Sequence, residues 1–160
     1  MLPKIETNKN NNNDIKIQTE YSLYFDGCSK SNPGKSGIGY VIYKNGEEIW
    51  SECKYIGIKT NNEAEYSALI LGLETALQLD IKDITICGDS LLVINQLTNK
   101  YKVKSEKLFD LHDKAKELAK QFNYIEFIHV YRKDNKRADY LSNLALKQLN
   151  VICEDNIIKL

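Results

Sequence analysis

Three segments decide the fold: YSLYFDG (21–27), GIGYVIYK (37–44) and EEIWSECKYI (47–56). All three are rich in aromatic and β-branched residues, which is typical of strands. The second and third segments are separated by Asn45-Gly46, a dipeptide that suits the type I′ turn of a two-residue hairpin. The sequence therefore predicts a three-stranded antiparallel meander at the start of the domain.

After the meander the hydrophobic pattern changes from the period of a strand to that of a helix. Apolar residues recur at helical spacing from residue 62 onward, and Asn61 or Asn62 can cap this helix. The other predicted elements are a strand at 83–87, a helix at about 90–97, a helix from Ser105 to about Phe122, a strand at 124–131 and a helix at about 136–149.

This βββαβααβα order predicts an α/β fold with a five-stranded mixed sheet, three antiparallel strands plus two parallel ones, flanked by helices. Helical crossovers link strands one, four and five, so these strands should be parallel neighbours. A length of 160 residues fits one such domain. We assign residues 20–149 to it, residues 1–19 to a disordered Asn-rich leader and residues 150–160 to a C-terminal tail, either a docked strand or a frayed end.

Composition excludes several classes of protein. The 22 basic residues balance 22 acidic ones, which argues against a general nucleic-acid coat but allows an enzyme whose acidic site is neutralised by metal. No apolar stretch is long enough to span a membrane and the amino terminus does not resemble a signal peptide, so we expect an intracellular protein without membrane association. The four cysteines, Cys28, Cys53, Cys87 and Cys153, lack CxxC spacing, which favours reduced interior residues over a zinc site.

Four acidic residues stand where an acidic side chain is a poor choice for structure alone: Asp26, Glu65, Asp89 and Asp139. Asp26 and Asp89 lie toward the carboxyl ends of strands one and four, and this edge is where such sheets bind ligands. Glu65 and Asp139 lie near the starts of the first and last helices, which could reach the same edge. Converging carboxylates would repel one another and call for a divalent cation, for which they are hard oxygen ligands.

Taken singly, three of these residues have ordinary interpretations. Glu65 and Asp139 could favour the helix macrodipole, and Asp89 could cap the second helix. Asp26 ends an apolar run and begins no helix, so neither interpretation accounts for it. The joint placement favours one metal site.

Four motifs carry a resemblance to a known family: YFDGCSKSNPGKSGIGYVIY, TNNEAEYSALILGL, CGDSLLVINQL and HVYRKDNKRADYLSNLA. In this order they resemble type 1 ribonuclease H, most closely the compact branch found among archaea, some bacteria and plants, which lacks a basic protrusion. The resemblance covers about residues 21–149. It implies a ribonuclease H-like fold and an enzyme that hydrolyses the RNA strand of RNA–DNA hybrids to 5′-phosphate and 3′-hydroxyl ends.

The resemblance also implies the roles of the site residues. Asp26, Glu65, Asp89 and Asp139 would be catalytic ligands of Mg²⁺ or Mn²⁺, two ions per site, one activating the attacking water and one stabilising the leaving 3′ oxygen. Thr60 would help seat a phosphate of the DNA strand, and small polar residues would read the minor groove of the hybrid. The implied substrate contacts are Gly27, Asn32, Thr60, Asn61, Asn62 and Ser90.

His129 and Arg132 compete for a role beside the four carboxylates. His129 falls inside an apolar strand, where a lone histidine is more often structural. Arg132 follows that strand, and in the compact branch an arginine there takes over the role of a histidine. Arginine stays protonated and cannot act as a base, but it can hold a phosphate. We therefore prefer Arg132 as the additional catalytic residue.

Two departures from the family pattern concern substrate binding. Leu91 stands where the better-known bacterial branch has a glutamine that touches the substrate. The run KYKVKSEK (100–107) could partly replace the missing basic protrusion, although a solvated face is the interpretation we favour.

Two further functions stay open from the residues. One is a metal-dependent nuclease of the same fold with broader substrates, acting on double-stranded RNA or as an exonuclease. The other is a non-catalytic hybrid-binding module, against which an intact acidic quartet counts. In each case we expect a monomer.

Overall fold

The computed structural model describes residues 15–158, and their side chains up to residue 148. Most of the predicted leader and the end of the predicted tail therefore lie outside the described residues. Residues 15–18 have no regular secondary structure.

A single five-stranded sheet forms the centre of the molecule, with strand order β3-β2-β1-β4-β5. Strands β1, β2 and β3 pair antiparallel, and β4 pairs parallel to both β1 and β5. This confirms the predicted mixed sheet and the parallel neighbours. The strands are β1 (Tyr21–Ser29), β2 (Gly34–Lys44), β3 (Glu47–Lys59), β4 (Asp83–Gly88) and β5 (Tyr124–His129).

The turn between β2 and β3 is the predicted one. Asn45 and Gly46 have φ values of 49° and 82°, both in the left-handed region that a type I′ turn requires at its two central residues. Strand β3 extends to Lys59, three residues beyond the apolar pattern, because it continues to pair with β2 there.

Four α-helices and one short 3-10 helix complete the fold. They are α1 (Asn61–Gln78), α2 (Leu91–Leu97), α3 (Glu106–Ala119), the 3-10 helix Arg132–Asp134 and α4 (Lys136–Ile158). Helix α4 continues through residues assigned to the tail, so the predicted helix end at 149 is too early. No helix in the described part of the chain is long and apolar enough to cross a membrane.

The cap of α1 differs from the prediction. Thr60, rather than Asn61 or Asn62, is the N-cap: its hydroxyl accepts from the Glu63 amide, and the Glu63 carboxylate accepts from the Thr60 amide. This reciprocal capping box fixes where α1 begins. It therefore also fixes the position of Glu65 in the second turn.

The two faces of the sheet are covered by different helices. Leu23 and Phe25 of β1 are fully buried in the core that α1 and α3 cover. Helix α4 packs on the opposite face, against β1, β2 and β3. It lies very close to β2, because a Cβ atom at Gly39 would come within 2.5 Å of the Leu141 Cβ. The site described next lies where both layers meet the ends of β1 and β4.

Candidate active site

Three carboxylates converge at the carboxyl edge of the sheet. Asp26, Glu65 and Asp89 each offer an oxygen atom, and these atoms lie within 4.8 Å of one another. Parallel pairing of β1 with β4 aligns Phe25 with Gly88, so the residues that follow these two, Asp26 and Asp89, lie at the same edge. The strand order predicts Asp26 beside Asp89, and it leaves Glu65 only as a residue near a helix start that could reach this edge.

Helix α1 brings Glu65 to the two aspartates. Its backbone lies directly on Gly27, where a Cβ atom would come within 2.3 Å of the Ala64 carbonyl carbon. Glycine is therefore required at this position for the helix to approach. The backbone of Gly27 lowers the pKa of the Glu65 carboxyl, against the larger upward effect of burial.

Asp139 lies on the rim of the same cleft, outside the three-residue cluster. Its carboxylate accepts from the Asn143 amide at 3.4 Å and lies 3.6 Å from Arg132 Nη2. The cleft has a volume of about 410 Å³ and is open to solvent. It is lined by Asp26, Gly27, Cys28, Asn61, Glu65, Asp89, His129, Val130, Tyr131, Arg132 and Asp139.

Burial and mutual repulsion hold protons in this cluster when no cation is bound. Burial raises the pKa of Asp26 to about 7, with further upward contributions from the charges of Asp89 and Asp139. Burial also raises the pKa of Glu65 well above its usual value, reinforced by the charges of Asp26 and Asp89. These upward pKa shifts indicate that a bound cation would stabilise the ionised carboxylates.

The residues present fit a divalent metal ion. The donor set is entirely oxygen, which suits Mg²⁺ or Mn²⁺ rather than softer metals. Glu65 Oε2 is buried and accepts no hydrogen bond from the described residues, so an acceptor is left for a cation. Asp26, Glu65 and Asp89 are placed to hold the metal, with Asp139 at the open side.

His129 and Arg132 both line the cleft. His129 is the last residue of β5, which ends there rather than at the predicted residue 131, and its Nε2 lies 3.2 Å from the Asp89 carbonyl oxygen. The chain then turns into the 3-10 helix, whose first residue is Arg132. The Arg132 side chain is 81% exposed, so its guanidinium can meet a ligand in solvent.

Four of the six predicted substrate contacts use a side-chain oxygen as a hydrogen-bond acceptor within the protein, a pattern that the sequence did not reveal. Asn61 Oδ1 accepts from the Ser29 amide at 3.0 Å, and Asn32 Oδ1 accepts from the Asn61 amide at 3.1 Å. No described residue accepts a hydrogen bond from either Nδ2 group. Each side chain therefore commits its acceptor to the protein and leaves its donor available.

The hydroxyls of Thr60 and Ser90 follow the same pattern. Each accepts from a backbone amide as a helix cap, Thr60 from Glu63 and Ser90 from Val93. A hydroxyl used as an acceptor still has its own proton to donate. Asn61 also lines the cleft, and Asn62 follows it in the first turn of α1. Contact of these residues with a substrate remains a prediction.

Sequence reasoning missed Ser142 and Asn135. Ser142 Oγ donates to Asp26 Oδ2 at 2.8 Å, and Asn135 Nδ2 donates to the Phe25 carbonyl oxygen at 2.9 Å. Both partners are more than 100 positions away in the chain, so local patterns could not identify them. The one available signal is their spacing, about one turn on either side of Asp139.

Comparison with known proteins agrees with this geometry. A family model described as "Reverse transcriptase-like" matches residues 24–145. Ribonuclease HI of Halobacterium salinarum is 42% identical over 124 residues, which are 77% of this chain and 62% of that protein. A bifunctional protein of Mycobacterium tuberculosis is 40% identical over 76% of this chain, but the match covers only 34% of that protein. The chain thus spans less than two thirds of these relatives.

A solved structure supports the same assignment. The crystal structure of LC11-RNase H1 in complex with an RNA/DNA hybrid superposes with a TM-score of 0.76. That chain is 34% identical, and the match covers 81% of this chain and 98% of that one. Sheet order, four ordered acidic motifs and these similarities lead to one conclusion: the chain belongs to the type 1 ribonuclease H family.

Proposed function

We propose that this chain is an endoribonuclease that hydrolyses the RNA strand of RNA–DNA hybrids, leaving 5′-phosphate and 3′-hydroxyl ends. The observation that carries the proposal is the convergence of three carboxylates within 4.8 Å, with Asp139 on the rim of the same cleft. The name of the Halobacterium relative and the hybrid bound by LC11-RNase H1 support this choice of reaction and substrate.

We further propose that the site takes two Mg²⁺ or Mn²⁺ ions. Asp26, Glu65, Asp89 and Asp139 would hold them. When bound, such ions lower the pKa of a coordinated water and stabilise charge on the oxygens of a phosphodiester. Repulsion among the four carboxylates then becomes attraction for the ions, which is why a buried acidic cluster is tolerated at this edge of the sheet.

The residues around the carboxylates orient the reacting groups. The Ser142 hydroxyl donates to Asp26 Oδ2, which holds that carboxylate in place before substrate binds. The exposed Arg132 guanidinium can hold a phosphate oxygen next to Asp139. Its permanent charge makes it a clamp and excludes it as a base.

The side-chain amide donors of Asn32 and Asn61 suit recognition of a hybrid that does not depend on its base sequence. In the minor groove every base pair presents an acceptor at purine N3 or pyrimidine O2, and the amide donors of Asn32 and Asn61 match such acceptors. The donor of Thr60 suits a phosphate oxygen. Selection of RNA over DNA requires contact with the 2′-hydroxyl, which both donates and accepts.

The proposed setting is the interior of the cell, with the protein acting as a monomer. Cys28, Cys53 and Cys87 are free thiols, which fits a reducing compartment.

The test is cleavage of three end-labelled substrates of the same sequence: RNA–DNA hybrid, double-stranded RNA and double-stranded DNA. We expect Mg²⁺- or Mn²⁺-dependent cuts along the RNA of the hybrid alone, each fragment ending in a 3′-hydroxyl. Cleavage of double-stranded RNA would instead support a broader nuclease. Hybrid binding without metal-dependent cleavage would support a binding module and overturn the proposal.

A further inference from the structure

Helix α4 approaches strand β2 most closely around the buried residue Ser142. A Cβ atom at Gly37 would come within 2.3 Å of the Ser142 carbonyl oxygen, and one at Gly39 within 2.6 Å of the Ser142 nitrogen. Gly39 pairs directly with Asp26 in the β1–β2 register. The absence of side chains on β2 therefore lets a residue as short as serine reach Asp26 from the helix.

The Ser142 hydroxyl has two acceptors and one proton. Its Oγ lies 2.8 Å from Asp26 Oδ2 and 2.8 Å from the carbonyl oxygen of Asp139, and the residue is fully buried. A carboxylate that is ionised, as Asp26 would be with a cation bound, is the stronger acceptor of the two. The Asp139 carbonyl, moreover, also accepts from the Asn143 amide at 2.9 Å. The Ser142 hydroxyl therefore donates its hydrogen bond to Asp26.

An ordinary buried helix serine would bond only to a carbonyl of the preceding turn. Such a bond would satisfy the Ser142 hydroxyl without any contact to Asp26. The Ser142 hydroxyl instead bonds both to the Asp26 carboxylate of β1 and to the backbone carbonyl of Asp139 in α4. It bonds to one oxygen of Asp26, Oδ2, and Asp26 also lines the cleft.

We propose that Ser142 is a positioning residue that holds Asp26 in its metal-binding orientation and sets its separation from Asp139. This inference rests on the proposed metal site, and Ser142 itself is fully buried and does not line the cleft. Partners of metal ligands fix ligand orientation, and their loss commonly lowers metal affinity or activity by about 10- to 100-fold.

The test compares Ser142→Ala with Ser67→Ala as the matched control. Ser67 is a half-buried serine of α1 whose hydroxyl bonds to the Glu63 carbonyl and contacts none of the four carboxylates. Mn²⁺ binding is measured by calorimetry in the absence of nucleic acid, and hybrid cleavage is measured in parallel. For Ser142→Ala we expect a metal Kd raised roughly tenfold and a kcat lowered roughly tenfold, with KM for the hybrid unchanged. Ser67→Ala should match the wild type in both assays.

Wild-type Mn²⁺ affinity in a folded Ser142→Ala protein would overturn the inference. Should the alanine variant fail to fold, Ser142→Cys, which keeps the volume but donates weakly, takes its place under the same criterion. A wild-type protein that binds Mn²⁺ but cleaves no hybrid would refute the proposed activity, whereas the calorimetric comparison would still decide the role of Ser142.

Discussion

The side chain of Asn135 joins the start of α4 to the middle of β1. Its Nδ2 donates to the carbonyl oxygen of Phe25 at 2.9 Å, and both residues are almost completely buried. Phe25 immediately precedes Asp26, and Asn135 lies one helical turn before Asp139. This hydrogen bond therefore fixes two of the proposed metal ligands relative to each other across 110 positions of the chain.

Replacing Asn135 with alanine should destabilise the protein. The change removes a buried hydrogen bond to the Phe25 carbonyl oxygen, a loss that costs about 1–3 kcal/mol in free energy of unfolding. Urea unfolding measures the effect. Asn123→Ala, at an exposed position before β5, is the control and should change the free energy of unfolding by less than about 0.5 kcal/mol. Equal stability of the two variants would contradict the structural role of Asn135.

The pH dependence of stability should differ between the metal-free and the metal-bound protein. Without metal, Asp26 and Glu65 keep protons in the folded state, because burial raises the pKa of Asp26 from 3.8 to about 7 and that of Glu65 well above 4.5. The folded protein then binds more protons than the unfolded chain above about pH 4. The contribution of these groups to the free energy of unfolding therefore falls as the pH rises toward 7.

This fall is measured by urea unfolding in EDTA between about pH 5 and pH 8. Saturating Mg²⁺ should remove it, because the ionised carboxylates are then neutralised by the ions. Asp26→Asn should flatten the metal-free profile and raise stability near neutral pH by roughly 1–3 kcal/mol. A metal-free profile that rises with pH and is insensitive to this substitution would contradict the account.

Arg132 and His129 can be separated by single substitutions. Arg132→Ala should lower kcat roughly tenfold, since it removes a charge-assisted bond to a phosphate oxygen. His129→Ala should lower kcat less than about threefold, because a general acid or base would contribute at least about 100-fold and we expect none here. Steady-state cleavage of hybrid measures both, with Lys133→Ala as a control for loss of a neighbouring positive charge. Equal losses of turnover at the two positions would refute the preference for Arg132.

Gly39→Ala should displace α4 and impair the site. An added Cβ atom would lie 2.5 Å from the Leu141 Cβ and 2.7 Å from the Ala138 carbonyl oxygen, neither of which can move alone. We expect a loss of several kcal/mol in stability or failure to fold, as for overpacked cores. Thermal unfolding tests this against Ser51→Ala, an exposed change on the neighbouring strand β3. A wild-type melting temperature in Gly39→Ala would contradict the observed approach of α4.

Sequence patterns predicted what depends on local periodicity and chain order. The Asn45-Gly46 turn and the change from strand to helix periodicity after β3 predicted the arrangement of the strands. The strand order in turn placed Asp26 beside Asp89. The predicted end of β5 at residue 131 was wrong. Tyr131 continues the sequence pattern of a strand, but the strand itself ends at His129. Polar contacts between distant elements leave no periodic signal, which is why the bond of Ser142 to Asp26 could not be predicted.

The most direct test of the metal-dependent site is cleavage of one labelled RNA–DNA hybrid by wild type and Asp26→Asn at increasing Mg²⁺ concentrations. The proposed site predicts no cleavage in EDTA, cleavage by the wild type that saturates with Mg²⁺, and a loss of at least about 100-fold in the variant, because one buried ligand has lost its charge. Unchanged cleavage by Asp26→Asn, or wild-type cleavage in EDTA, would contradict it.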